Sequence, residues 1–126
     1  MSRKYIIDNI EFDSKIVMEM FEEVFCYIGS FILGENDEKI EGLIYEEYDS
    51  CAATGLIDFK LDILLDNNFI TKEIKLKAQE MRILSDKMFG EDMERSASFI
   101  RTSPEWQKII ALADEIKSFL DAQNNK

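Results

Sequence analysis

Apolar side chains return every three or four positions over long stretches of this chain, and that spacing restricts its fold more than any other feature. Val17, Met20, Phe21, Val24, Ile28, Phe31 and Ile32 form one series. Ile74, Ala78, Met81, Leu84 and Met88 form a second, and Trp106, Ile109, Ile110, Ala113, Ile116, Phe119 and Leu120 a third. Steps of three and four stack side chains along one face of an α-helix. One proline and five glycines in 126 residues leave few breaks in such a pattern. The expected fold is all-α, a compact bundle of about five helices forming one domain over residues 1–126. Tyr5, Ile6, Ile7, Ile10 and Phe12 lack a clean period, so residues 1–12 read as a short strand or an irregular arm.

Helix ends can be read from capping residues. Asp13 or Ser14 suits the start of a helix over 14–33, with Gly34 to stop it and Gly29 inside it allowing a neighbouring helix to come close. Asn36 or Asp37 begins a second helix through Glu47, and Asp49, Ser50, Thr54 and Gly55 bracket a break. Leu56, Ile57, Leu61, Leu64 and Leu65 suit a third helix, Asn67 and Asn68 a turn, and Thr71 the cap of a fourth that ends before Gly90. Residues 91–102 read as a loop or a short helical turn. Ser103 followed by Pro104 starts the last helix, since proline in the first turn gives up an amide that has no partner there. Residues 122–126 are expected to fray.

Charge is unevenly distributed. Residues 1–70 hold 5 bases against 16 acids, whereas residues 71–126 hold 10 of each, so the entire net charge of −11 lies in the first part of the chain. A field of that sign repels nucleic acid and an anionic membrane, and it steers a basic protein towards the surface. Within residues 35–66, Tyr45 and Tyr48 stand among Glu41, Glu46, Glu47 and Asp49. Asp58 and Asp62 are one turn apart on the next helix, on the side away from its leucines. Aromatic anchors supply central contacts that rim charges cannot. The expected partner-binding set is therefore Glu41, Tyr45, Glu46, Glu47, Tyr48, Asp49, Asp58 and Asp62, with Tyr45 and Tyr48 foremost.

Familiar catalytic and metal-binding constellations are missing. The chain has no histidine, which removes the commonest general base and zinc ligand. Cys26 and Cys51 are too few for a structural zinc site or a disulfide framework, and they suit a reducing, cytoplasmic setting. The stretch beginning at Asp66 lacks the glycine and glutamate of a calcium loop, and no phosphate-binding glycine loop is present. Pairs such as Glu19 with Glu22 or Glu23 arise readily by chance among 26 acids. Neither an enzyme nor a cofactor is expected. The opening residues do not read as a signal peptide, and the longest uncharged run, 24–34, is 11 residues, against about 20 for a membrane span.

Two segments, GLIDFKLDILLDNNFITKEI over 55–74 and SPEWQKIIALADEIKSFL over 103–120, set in a small acidic chain without histidine, resemble the bacterial immunity proteins that neutralise colicins or the toxins of contact-dependent growth inhibition. The resemblance implies stoichiometric binding of a cognate basic toxin, often a nuclease, by a monomer or weak homodimer active in bacterial competition. The alternative from the residues alone is a small regulatory or phage-type inhibitor or adaptor of another basic protein.

Overall fold

The computed structural model describes the backbone of residues 4–7 and 10–124 and the side chains of residues 13–123. The chain is predominantly helical, in agreement with the all-α expectation. It opens with an antiparallel hairpin of β1 (Lys4–Ile7) and β2 (Ile10–Asp13), in which Lys4 pairs with Asp13 and Ile7 with Ile10. The apolar side chains of the expected N-terminal arm lie outside the described residues. The Asp13 carboxylate then accepts from the Lys15 amide at 2.8 Å and caps α1 (Ser14–Val24).

The first helix is much shorter than the expected 14–33. Its ladder ends at Val24, three-residue turns follow, and Ser30–Gly34 forms a single 3₁₀ stretch. Gly29 sits at the bend with φ 151°, a backbone region that side chains with a Cβ rarely enter. Gly29 was expected inside the helix, where it would admit a neighbouring helix; it lies instead in the bend, and a Cβ on it would stand 3.1 Å from the Asp114 side-chain oxygen Oδ1. The same oxygen accepts from the Ser30 amide at 2.9 Å and starts the 3₁₀ turn. Phe25, Ile28 and Ile32 are all buried on either side of this bend.

The next helix is correspondingly longer than expected. Asn36 caps α2 (Asp37–Glu41) through a 2.8 Å bond from the Lys39 amide. The chain continues as a π-helical segment, Gly42–Tyr48, and then as α3 (Asp49–Gly55). The break expected within 49–55 falls instead at Leu56 and Ile57. Gly55 stays helical and serves packing: a Cβ on it would meet Val24 Cγ2 at 2.7 Å and the Met20 carbonyl at 3.1 Å, so its absence lets α1 press against α3.

Helix α4 (Asp58–Asp66) ends where Asn67 Nδ2 donates to the Ile63 carbonyl at 2.7 Å and Asn68 takes φ 61°. Thr71 caps α5 (Lys72–Met88), Ser96 caps the short α6 (Ala97–Thr102), and Ser103 precedes α7 (Pro104–Asn124). The last helix thus runs into the stretch expected to fray. Helices α5 and α7 pack side by side, α1 lies on α3 and α4, and α6 bridges α2 and α7. Trp106, Phe21, Met81 and Met88 are fully buried, as their stripes imply.

Candidate interaction surface

The π-helical segment arranges the acidic stretch. Ile40, Ile44, Tyr48 and Ala52 are all buried and recur every four residues. In an α-helix with 3.6 residues per turn, each four-residue step drifts by about 40°, so three steps would smear this row over about 120°. Bonding from i to i+5, as between the Asp49 amide and the Ile44 carbonyl, winds the chain wider and takes up that drift. The buried row therefore runs straight, and two outward columns run straight beside it. One is Glu38, Gly42 and Glu46; the other is Lys39, Leu43 and Glu47.

These residues, with Asn36, line a shallow cleft of about 410 Å³. Glu38, Glu46 and Glu47 are exposed, and none of them is ion-paired among the described residues. A second cleft of about 430 Å³ adjoins the first and is lined by Glu38, Glu41, Gly42, Tyr45, Glu46 and Arg95. The acidic surface also extends sideways onto α1. Glu23 and Glu47 both act on Tyr27 and Cys51, and beyond Glu23 lies a depression lined in part by Glu19, Glu22 and Asp121. Sequence reasoning had set Glu19, Glu22 and Glu23 aside as chance pairs. It is the approach of the end of α7 to α1 that sets them beside Lys117 and Asp121.

Of the eight expected site residues, Glu46 and Glu47 are exposed on this surface, and Asp49 is half-buried just beyond it. Tyr48 is a correction. It is 0% exposed, and its hydroxyl pairs with Ser85 Oγ on α5 at 2.6 Å. Burial raises its pKa well above 10.0, outweighing the hydrogen bond with Ser85. It cannot reach a partner without unfolding the helix that carries it. The four-residue recurrence of Ile40, Ile44, Tyr48 and Ala52 was the signal that could have placed it inside.

Tyr45 is half-buried. Its ring meets Trp106 edge-on at 6.2 Å and Phe89 at 6.0 Å, and its hydroxyl donates to the Glu94 carbonyl at 3.3 Å. The Arg95 guanidinium lies 5.2 Å from its ring centre. Burial, partly offset by a backbone hydrogen bond and by Arg95, moves its phenol up. Tyr45 thus forms one wall of the second cleft while anchoring the aromatic core below.

Three of the expected carboxylates are engaged within the fold. Glu41 Oε2 accepts from the Ala97 amide at 3.0 Å and holds α6 against α2. Asp58 lies 3.5 Å from Arg82 and accepts from Gln79 at 3.4 Å, while Asp62 pairs with Lys75. Asp58 and Asp62 of α4 therefore face bases of α5. Nor does Asp37 contribute free charge, because Arg101 pairs with it and also donates to the Glu35 carbonyl at 2.9 Å.

No group of three or more acidic or cysteine side chains among the described residues is arranged to hold a metal ion. No described helix is long and apolar enough to cross a membrane. No protein-family model, curated protein or solved structure matches the chain.

Proposed function

We propose that this chain is an immunity protein, a stoichiometric inhibitor that binds a basic toxin in the cytoplasm and has no catalytic step of its own. The observation that carries the reading is the outward pair of columns that runs from α2 onto the π segment. There Glu38, Glu46 and Glu47 keep their charge, while Asp37, Asp58 and Asp62 are compensated within the fold. A nuclease is cationic where it binds phosphate, so a surface bearing carboxylates at similar spacing competes with nucleic acid for that site. Charge on the rim governs encounter rate more than affinity, so Leu43 and the exposed part of Tyr45 supply the apolar contact between the acids. The resemblance of residues 55–74 and 103–120 to immunity proteins supports the same reading.

The test begins with the product of the adjacent gene, because an immunity gene is expected beside its toxin gene. Co-purification of the two proteins, and survival of cells that make both, are expected for the parent chain. The triple variant Glu38→Gln, Glu46→Gln, Glu47→Gln should keep its helical circular dichroism and slow association by about tenfold or more. Equal association by the triple variant and the parent would remove the surface assignment. A neighbouring product that is not toxic would favour the regulatory-inhibitor alternative.

A further inference from the structure

The fold places two nucleophilic side chains, Cys26 and Cys51, at the same end of the α1–α3 interface, with the Cys26 thiol donating to the Glu22 carbonyl at 4.0 Å in the depression lined by Glu22 and Glu23. Contacts along the α1–α3 interface run in opposite chain directions. Gly55 lies against Met20 and Val24, while Tyr27, further along, is in the field of Cys51 and Glu47, which come earlier. Cys51 lies one turn before Gly55 on the same side of α3. Cys26 lies two residues beyond Val24, in the turn that leaves α1. Both thiols are free, with Cys26 exposed and Cys51 half-buried. Burial, followed by Glu23, Glu47 and Cys26, pushes the Cys51 thiol up, so Cys51 stays protonated while Cys26 meets solvent.

We propose that Cys26 and Cys51 form a two-electron oxidation site, in which Cys26 attacks a peroxide and Cys51 then closes an intramolecular disulfide between the end of α1 and α3. In the first step the Cys26 thiolate displaces one peroxide oxygen as water and becomes a sulfenic acid. In the second, Cys51 sulfur attacks the Cys26 sulfur and loses its proton, and the sulfenic oxygen leaves as a second water. Two thiols give up two electrons, and one peroxide is reduced to two waters.

The backbone around Cys26 suits this closure. Its amide bonds to the Glu23 carbonyl at 3.0 Å, and the Tyr27 amide to Val24 at 3.3 Å. These are turn bonds beyond the helix ladder, and closure asks this segment to reach the Cβ separation of about 4 Å that a disulfide requires while α1 stays wound. Glu47 lies one turn before Cys51, so the bond would also tether the helix that carries the outward acids. The site does not depend on the identity of any partner.

The test uses the full reduced chain at low concentration with hydrogen peroxide as oxidant. The intact mass should fall by two hydrogens, and both iodoacetamide-reactive thiols should disappear together. A digest should yield one linked fragment that contains Cys26 and Cys51. The bond should form at least about tenfold faster in the folded chain than in urea, since only the fold pre-positions the thiols. Cys51→Ser should stop at a dimedone-trappable sulfenic acid on Cys26, and Cys26→Ser should leave Cys51 unoxidised. Cys51 still open to alkylation after Cys26 has been over-oxidised or joined to a second chain would overturn the proposal. So would equal rates in folded and unfolded chains, a comparison that needs no variant.

Discussion

The pairing of Tyr48 with Ser85 separates a core tyrosine from a binding tyrosine, and its energetics can be worked from the structure. Both side chains are sealed from solvent, and their oxygens lie 2.6 Å apart. Tyr48→Phe removes the phenol and leaves a serine hydroxyl that can turn to a carbonyl of its own helix, so a loss of about 1 kcal/mol is expected. Ser85→Ala instead leaves the phenolic O–H sealed without an acceptor, at about 2–3 kcal/mol. The double variant removes both groups and should cost about 1 kcal/mol or slightly more, well short of the sum, which gives a coupling of about 2–3 kcal/mol. Urea unfolding followed by circular dichroism measures all four corners of the cycle. The slope should stay constant, and the melting temperature should move by about 4 °C per kcal/mol for a domain of this size. Additivity within about 0.5 kcal/mol would refute the buried pair. So would a Tyr48→Phe variant of parental stability that had lost its partner.

Further outcomes follow from the same geometry. Because burial raises the Tyr48 pKa above its unfolded 10.0, the folded state holds that proton longer; its contribution is complete below pH 10 and drains away as pH rises towards the folded value. Tyr48→Phe should flatten the alkaline loss of stability relative to the parent by up to about 1.4 kcal/mol per pH unit. Gly55→Ala gains helix propensity but drives a methyl to within 2.7 Å of Val24 Cγ2, and a net destabilisation of about 1–2 kcal/mol is expected in chemical denaturation. Asp114→Ala should cost about 1 kcal/mol by freeing the Ser30 amide, with Asp114→Asn recovering most of it. The association rate with a basic partner should fall steeply between low and physiological salt for the parent and much less for the triple glutamine variant, as stopped-flow would show.

Much of the fold was legible where period and cap agreed. Helices α5 and α7 follow their apolar stripes, and Asn36, Thr71 and Ser103 stand at the helix starts. What escaped was set by contacts distant in sequence. The end of α1 depends on Asp114, a side chain on α7, reaching the bend at Gly29 and Ser30. Gly55 suggested a break, yet its small size serves the packing of α1, and the helix runs through it. The candidate surface was partly visible in the same way. Charge located the acidic stretch, but only geometry separates Glu38, Glu46 and Glu47 from Glu41, Asp58 and Asp62, whose partners come from α5 and α6. Tyr48 was misjudged because its acidic neighbours hid a buried row with a four-residue period, unlike that of an ordinary helix.

The wide turn between Gly42 and Tyr48 has a bearing on the history of this segment. Deleting one residue between Ile44 and Tyr48 would change the spacing of the buried row from four, four, four to four, three, four, the rhythm of a plain α-helix, and the flanking helices would keep their facing. The core is therefore indifferent to that residue. A bulge of this sort is what a single-residue insertion leaves when a helix absorbs it without turning its ends. Here the surplus position falls at the exposed Glu46 and Glu47, so the chain carries one more outward-facing residue than its own folding requires.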